Sequence, residues 1–405
     1  ARVRTQHGHD AIFGGSYGWS SAGGLHHART LVQRFLHSGG GCVGQAGNYS
    51  WGAAQFLLPH VIGTFTPVTG RVTDWPNLLA HTKLFIAFGG LPLRNTQVTS
   101  GGAGEHSSAG WIAQAARAGI EFVVISPTRN DVPEGMAARW IPIRPNTDTA
   151  LMLGMAHTLL DEGLHDADFL QTHCNGFEPW ARYLRGTDDG VPKSATWAAA
   201  ICGVEADTIA ELARSAARQR TLINCTWSLQ RAHHGEMTHW AIIAFAAMTG
   251  KIGKAGEGVG FSWHYGGGGM PVSGKRSAVG IAQGRNPAKG RCPASRISEM
   301  LLNPGKPYTR DGASFTFPDV HMIYNAGNNF VHHQQNTNEL IEAMAKKVHT
   351  VVNQDPWWCA SSRYADIVLP ATSHLERDDI STGGTYSNDK IWAMRQVIQP
   401  YGESL

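Results

Sequence analysis

Short apolar runs that end in glycine, proline or a polar residue alternate with helical segments along most of this sequence. The runs lie at 83–89, 121–127, 139–144, 221–227, 321–326, 349–354 and 366–369. The helical patterns lie at 107–118, 147–160, 206–218, 239–252 and 337–347. Strands that alternate with helices of this length form parallel sheets with crossover helices, and continuously apolar strands are covered on both faces. The pattern therefore predicts an α/β fold.

The apolar runs fall into two groups, which predicts two doubly wound, Rossmann-like parallel-sheet domains. Residues 75–255 supply four strands with helices between them, enough for one dinucleotide-binding-like domain. Residues 256–290 are rich in glycine and are interpreted as a long loop that crosses between domains. Residues 1–74 are too few for a domain of their own. We therefore expect residues 1–74 and 256–405 to form one discontinuous domain.

Composition narrows the possible function classes. Glycine accounts for 48 of 405 residues and charged residues for only 16%, which suits a protein whose backbone approaches a large ligand closely. The net charge is +3 with no clustered basic face, so we expect no nucleic-acid partner. The longest apolar run is shorter than the ~20 residues of a membrane span. The six cysteines form no C-x-x-C pair, which argues against an iron–sulfur cluster in this segment.

Ser16 is the residue with the sharpest local signal for chemistry. It follows a short apolar strand at 11–13 and stands in the sequence GGSYG. Glycines let the chain turn tightly and present the hydroxyl at the carboxyl end of a strand, where open α/β sheets bind ligands. Three interpretations are open at this point. Ser16 is a structural turn residue, the nucleophile of an α/β hydrolase with Asp366 and His374 downstream, or a metal ligand.

Several segments in fixed order resemble one enzyme family. Residues 12–27, IFGGSYGWSSAGGLHH, resemble the segment that carries the serine metal ligand in the dimethyl sulfoxide, trimethylamine N-oxide and biotin sulfoxide reductases. Further similar segments are NYSWGAA at 48–54, FGGLPLR at 88–94, SPT at 126–128, RPNTD at 144–148, WSLQR at 227–231, AGNNFVHHQ at 326–334 and ADIVLPA at 365–371. The chain is thus identified as a member of the dimethyl sulfoxide reductase family of molybdoenzymes, most similar to the biotin sulfoxide and trimethylamine-N-oxide reductase branch.

The resemblance implies a cofactor, a reaction and a compartment. By this resemblance we expect molybdenum to be held by two molybdopterin guanine dinucleotides (bis-MGD) and by Ser16, and an S-oxide or N-oxide to transfer its oxygen atom to Mo(IV). Dimethyl sulfoxide, trimethylamine N-oxide, biotin sulfoxide and methionine sulfoxide are substrates of this type. We also expect a c-type cytochrome or a cytosolic reductase as the electron donor, and the periplasm or, alternatively, the cytoplasm as the location. The chain is expected to be a central part of a longer enzyme; a serine hydrolase and a non-catalytic scaffold are the alternatives.

The resemblance also implies which side chains contact the cofactor. They are Arg94, Ser126, Thr128, Asp148, Trp227, Gln230, Arg231, Gly327, Asn329, His332, His333 and Asp355. Asp148 is expected to bind a guanine edge, because a carboxylate can accept hydrogen bonds from two N–H groups. Each also has an ordinary structural alternative, such as a helix-start carboxylate for Asp148 or a core residue for Trp227. The adjacent histidine pairs at 26–27, 233–234 and 332–333 point apart on a helix or strand, so we expect no separate metal site from them.

Overall fold

The computed structural model describes residues 1–16, 23–69, 73–97, 106–261, 263, 268–271, 280–382, 391–402 and 404. They divide into two compact units, each with its own parallel sheet. The first unit comprises Ala1–Tyr49 and Ser273–Leu405, and the second comprises Ser50–Thr99 and Glu105–Val272. Among the described residues, no helix is both long and apolar enough to cross a membrane.

The strands and helices follow one another along the whole described chain. The strands are β1 Ile12–Gly15, β2 Gly44–Ala46, β3 Leu84–Phe88, β4 Glu121–Ile125, β5 Ala138–Ile141, β6 Thr221–Cys225, β7 Gly258–Gly260, β8 Arg291–Pro293, β9 Pro307–Arg310, β10 Ala313–Thr316, β11 Met322–Ala326, β12 Thr350–Asp355, β13 Ile367–Pro370, β14 Asp379–Thr382 and β15 Ile391–Met394. The helices are α1 Arg2–His7, α2 Ala28–Ser38, α3 Gly52–Ile62, α4 Thr66–Thr69, α5 Trp75–His81, α6 Leu93–Thr96, α7 Ser108–Arg117, α8 Asp148–Asp161, α9 Ala167–His173, α10 Phe177–Arg185, α11 Ala195–Cys202, α12 Ala206–Arg218, α13 Glu236–Met248, α14 Ile297–Leu302, α15 Phe330–His333, α16 Thr337–Lys347 and α17 Ala360–Arg363.

The second unit is a five-stranded parallel sheet with helices on both faces. Its strand order is β5-β4-β3-β6-β7, and every residue of β3 is buried. Ile86 and Phe88 pack in the core that includes residues of α8, α12 and α13. Phe85 packs in the core on the opposite face, with residues of α5 and α7. Because both faces are covered, the strand can be apolar throughout, as the sequence predicted.

The first unit contains a four-stranded parallel sheet in the order β1-β11-β12-β13. Phe13 packs with residues of α14 and α16, while its neighbour Ile12 packs with Val32 and Leu36 of α2. Successive side chains of a strand point to opposite faces, so these contacts cover both faces of the sheet. The predicted fold class, two Rossmann-like parallel-sheet domains of which one is discontinuous, is confirmed.

The two units divide at Tyr49 and Val272, whereas the sequence indicated domain limits at 74 and 256. Helix α3 accounts for the first difference, since its Ala54 and Leu58 are fully buried in the core of the second unit. Strand β7 accounts for the second, because it pairs with β6 as the fifth strand of that sheet. The glycine-rich stretch that begins at 256 is therefore not loop throughout.

Candidate functional site

In the first unit, successive segments of the chain are placed on opposite sides of β1. Val43 forms a parallel bridge to Phe13 on the edge of β1 that faces away from β11, and its N–H donates to Ile12 O at 2.7 Å. The segment at Val43 therefore lies on one side of β1, and β11, which comes much later in the sequence, lies on the other side. Open α/β sheets bind ligands outside the carboxyl ends of strands at such a switch point. Ser16 directly follows β1, and Gly327 directly follows β11.

Ser16 lies where the sequence predicted, but its side chain is not displayed on the surface. Only 9% of the residue is exposed. Arg29 Nε donates a hydrogen bond to the Ser16 carbonyl at 3.0 Å, which ties the strand end to helix α2. The residues that follow in the motif, 17–22, lie outside the described residues. Arg29 thus holds the backbone of Ser16 at the end of a buried strand.

Asp379 of β14 holds the segment that leads into helix α2. Its carboxylate accepts from the Leu25 N–H at 2.9 Å and from the His26 N–H at 3.2 Å, and it lies 3.2 Å from His26 Nδ1. The Asp379 side chain is 1% exposed. Sequence analysis missed this residue, because nothing near position 379 indicates a partner more than 350 residues away.

The structure does not bring Ser16 and Asp366 together as the predicted hydrolase triad requires. Ser16 is not among the described non-glycine residues with positive φ, so it lacks the strained turn of a nucleophile elbow. Asp366 precedes β13, and its Oδ2 accepts from the Val351 N–H at 2.7 Å near the start of β12. Parallel strands begin at one edge and end at the other. Asp366 therefore lies at the edge of the sheet opposite Ser16.

The remaining predicted residues of the first unit follow β11 and β12. Gly327 has φ of 62°, a value that favours glycine, and its N–H donates to Gln354 O at 2.8 Å. Asn329 Oδ1 accepts from the backbone N–H and the hydroxyl of Ser361, at 3.1 and 3.0 Å. His332 and His333 lie in α15 and are exposed. All four residues thus lie at the same edge of the sheet as Ser16.

Asp355 ends β12 at this same edge. Its Oδ1 accepts from the Trp357 N–H at 2.8 Å, and partial burial raises the pKa of its carboxyl. The two tryptophans that follow are more than two-thirds exposed, Trp357 at 71% and Trp358 at 69%. Asp355 thus lies at the carboxyl edge of the sheet, two residues before a pair of exposed tryptophans, and remains a predicted cofactor contact.

Two buried asparagines join the strand ends that carry these loops. Asn325 Nδ2 donates to Asn353 Oδ1 at 2.6 Å and to Asn328 O at 2.7 Å, and Asn353 Nδ2 donates to Ser362 Oγ at 3.0 Å. Asn353 is 0% exposed and Asn325 is 4% exposed. An asparagine inside an otherwise apolar strand is the sequence signal that could have revealed this network, since buried amides require partners.

We expect Asn353→Ala to lower the free energy of unfolding by about 2–3 kcal/mol, because it leaves buried polar groups of Asn325 and Ser362 without this partner. Urea unfolding of the two proteins measures the difference. The exposed Asn338→Ala in α16 is the matched control and should change stability by less than about 0.5 kcal/mol. Equal stability of Asn353→Ala and the unaltered protein would contradict the role of the network.

The second unit has its switch point between β3 and β6. The chain runs β3, β4 and β5 in one direction and then returns to β6 on the other side of β3. Gly89 and Gly90 follow β3 with φ of 82° and 90°. A Cβ on Gly89 would lie 2.0 Å from Thr226 Oγ1, so only glycine fits this close approach of the two strand ends.

Arg94, Ser126 and Thr128 are brought together by Asp131, which sequence analysis missed. Arg94 Nη1 donates to Asn130 O at 2.9 Å, and its Nη2 forms an ion pair with Asp131. Ser126 donates its hydroxyl to the other Asp131 oxygen, and Thr128 Oγ1 caps the short turn that contains Asp131. The Arg94 side chain remains 59% exposed. The cation is therefore positioned by the protein and still accessible at the end of β3.

Asp148 is the first residue of α8 and is only 4% exposed. Its Oδ1 is buried and has no hydrogen-bond partner among the described residues. Burial raises the pKa of its carboxyl from 3.8 to about 6. An acceptor oxygen of this kind costs free energy unless a ligand donates to it. It is the feature of this unit that best fits a donor-rich ligand such as a guanine edge.

Trp227, Gln230 and Arg231 follow β6 in one short turn, but they differ in their surroundings. Trp227 is 8% exposed and packs in the main core of the unit. Arg231 is exposed. Both remain predicted cofactor neighbours.

Gln230 has a clear structural role. Its Oε1 accepts from the N–H groups of Ala53 and Ala54, at 2.7 and 3.2 Å, and its Nε2 donates to Ser50 O at 2.9 Å. The amide thus satisfies the first turn of helix α3, which no local side chain caps. This accounts for the buried position of Gln230 without any cofactor.

Known proteins similar to this chain agree in family. The chain is 41% identical to a dimethyl sulfoxide/trimethylamine N-oxide reductase of Cereibacter sphaeroides, 42% identical to a biotin sulfoxide reductase of the same organism and 40% identical to a trimethylamine-N-oxide reductase of Haemophilus influenzae. Each alignment covers 100% of this chain and 50%, 54% and 50% of the relative, respectively. The chain thus spans about half the length of the curated relatives it matches. Because these three identities differ by only one or two percentage points, they do not show to which branch of the family the chain belongs.

The chain also resembles a solved structure and a protein family over nearly its whole length. The acetylene hydratase of Pelobacter acetylenicus is a structural neighbour with a TM-score of 0.58 and 17% identity, covering 100% of this chain and 55% of that one, which shows a shared fold. The sequence model of the molybdopterin oxidoreductase family matches residues 1–404. The chain therefore belongs to the molybdopterin oxidoreductase family.

Proposed function

We propose that this chain is part of a molybdenum-dependent reductase of S-oxides or N-oxides and that Ser16 supplies the protein oxygen to the metal. The observation that carries the proposal is the position of Ser16 directly after β1, at the carboxyl edge of a parallel sheet and beside the bridge between Phe13 and Val43, in a chain of the molybdopterin oxidoreductase family. An alkoxide oxygen is a hard donor and suits a high-valent metal. The names of the relatives at 40–42% identity support the class of substrate.

We propose bis-MGD as the form of the cofactor, with one dinucleotide contacted by each unit. In the second unit Asp148 would accept from guanine, and Arg94, held by Asp131, would contact a phosphate or the pterin. In the first unit Asn329 and Asp355 would contact the other dinucleotide. The buried, unpaired Asp148 oxygen fits this group, because an N–H donor would remove its desolvation cost.

The protein residues would bind and orient, while redox chemistry belongs to the cofactor. When bound, the molybdenum cofactor supplies two-electron transfer that converts the oxide and two protons to the reduced product and water. Ser16 would fix the metal at the strand end, and Asn325 and Asn353 would hold the neighbouring loops in register. Preorganised side chains of this kind keep a reacting centre in position without rearrangement during turnover.

The partners and compartment are proposals from the family alone. We infer a c-type cytochrome or a cytosolic reductase as electron donor, a role in anaerobic respiration, and the periplasm as the compartment with the cytoplasm as the alternative. We also infer that this segment holds no iron–sulfur cluster, since its six cysteines are widely spaced.

The proposal predicts a defined composition and activity for the full-length protein. Elemental analysis should find one molybdenum per protein, and acid hydrolysis should release two GMP per molybdenum. Dithionite-reduced methyl viologen should be oxidised on addition of dimethyl sulfoxide, trimethylamine N-oxide, biotin sulfoxide or methionine sulfoxide. Molybdenum-free protein whose Ser16 reacts with a fluorophosphonate would instead support the hydrolase.

A further inference from the structure

Three histidines of the first unit come together at the edge of its sheet opposite Ser16. His7 ends helix α1, His321 directly precedes β11 and His349 directly precedes β12. Backbone hydrogen bonds join two of them to each other and to the residue before β1, since the His349 N–H donates to His321 O and the His321 N–H donates to Ala11 O, both at 2.8 Å. Strand β11 is five residues long, so about 16 Å of strand separates this edge from the carboxyl edge.

The three imidazoles are close enough to share one ion. One ring nitrogen from each of His7, His321 and His349 lies within 4.8 Å of the other two. The rings of His7 and His321 are stacked with centroids 3.7 Å apart, and those of His321 and His349 are 4.8 Å apart. Zinc–nitrogen bonds of about 2.0–2.1 Å place tetrahedral ligands roughly 3.4 Å apart. His7 and His349 are exposed, so their side chains can rotate into that geometry.

His321 has the hydrogen-bond pattern of a metal ligand with a second partner. Its Nε2 lies 3.0 Å from Asp319 Oδ2, whereas its Nδ1 is buried and has no hydrogen-bond partner among the described residues. A carboxylate on one ring nitrogen places the proton there and leaves the lone pair on the other nitrogen. Metal-binding histidines commonly show this carboxylate–imidazole arrangement. Asp319 thus holds the His321 ring in place through Nε2.

We propose that His7, His321 and His349 form a binding site for a divalent transition-metal ion of the Zn²⁺, Ni²⁺ or Cu²⁺ class. Imidazole is a preferred ligand of these ions, and three protein ligands leave one position for water. All three histidines and Asp319 belong to the first unit, at the amino edge of its sheet. The ion would join helix α1 to the starts of β11 and β12.

The test is Zn²⁺ titration of the untagged, full-length, cofactor-loaded protein by isothermal calorimetry. We expect one Zn²⁺ to bind, with affinity at least about 30-fold weaker in His349→Ala or His7→Ala and about 10-fold weaker in Asp319→Asn. His173→Ala is the matched control, because His173 is an exposed histidine of the second unit, and it should bind Zn²⁺ as the unaltered protein does. A triple variant of the three histidines that binds Zn²⁺ unchanged would overturn the proposal.

A second measurement needs no variant. Diethylpyrocarbonate modifies accessible imidazoles, and mass spectrometry identifies the modified histidines. Bound Zn²⁺ should protect His7 and His349 at least several-fold while His173 is modified as before. Equal modification of all three with and without Zn²⁺ would show that the ion does not bind there. Cu²⁺ in the same site should give an electron paramagnetic resonance spectrum split by nitrogen ligands.

Discussion

Ser16→Ala in the full-length enzyme is expected to lower turnover by at least about 100-fold, since even indirect supports of a metal ligand contribute 10–100-fold. The reason is that the variant removes the only oxygen that the end of β1 is proposed to give to the metal. The pterin sulfurs would still hold molybdenum, so metal and GMP content should fall little. Viologen-linked reduction of dimethyl sulfoxide or trimethylamine N-oxide measures the loss, with elemental analysis on the same preparation.

Two further substitutions sharpen this test. Ser16→Cys replaces the hard oxygen by a soft thiolate, so it should keep the metal but change its visible spectrum and potential. Ser38→Ala, at the exposed end of α2, is the matched control and should retain full turnover. A fully active Ser16→Ala enzyme would rule out Ser16 as the ligand.

Asp148→Asn is expected to stabilise the cofactor-free protein by about 3 kcal/mol at pH 8, the value that corresponds to the difference between pKa 3.8 and about 6. The folded protein holds the Asp148 proton to higher pH than the unfolded chain does. Ionisation of Asp148 therefore lowers the free energy of unfolding as the pH rises from about 4 to about 6. Above the folded pKa, this loss of stability stays constant. Urea unfolding of the cofactor-free proteins between pH 4 and 8 measures this decline. The decline in the unaltered protein should exceed that in Asp148→Asn by about 3 kcal/mol.

The same substitution should weaken cofactor binding. The Asp148 carboxylate would offer two accepting oxygens to guanine. The amide of the variant offers only one, and its N–H group would face a guanine N–H group in place of the second oxygen. We therefore expect Asp148→Asn to be isolated with less GMP per protein. Asp168→Asn, an exposed carboxylate in the first turn of α9, is the matched control for both measurements. Unchanged GMP content in Asp148→Asn would mean that Asp148 does not bind guanine.

Long helices and buried strands were predictable from the sequence because their patterns are local. Helices Ala206–Arg218 and Thr337–Lys347 have the predicted bounds, and the predicted strands differ from the observed ones by no more than about three residues at either end. Helices α9, α10 and α11 were missed, although Asp166 and Ser194 cap two of them, since seven to nine residues make a weak periodic signal. Strand β7 was missed because the sequence GVG resembles a loop until β6 pairs with it.

Pairing across long sequence separations was not predictable. Asp131 lies close in sequence to Ser126, yet its link to Arg94 arises only when the ends of β3 and β4 meet. His7 and His321 lie more than 300 residues apart, and no spacing motif connects them. The strand that ends before Ser16 also pairs with a distant segment, since Gly15 is opposite Asn325 in the register.

The pairing of β1 with β11 has a consequence for biosynthesis. Ile12 is opposite Met322 in the register, so the strand that carries Ser16 is made 310 residues before its partner. At translation rates of about 5–20 residues per second, β1 waits roughly 15–60 s for that partner to leave the ribosome. All of the second unit is synthesised in this interval and can fold first. The order of synthesis thus allows the second unit to fold before the strand that carries the proposed metal ligand gains its partner.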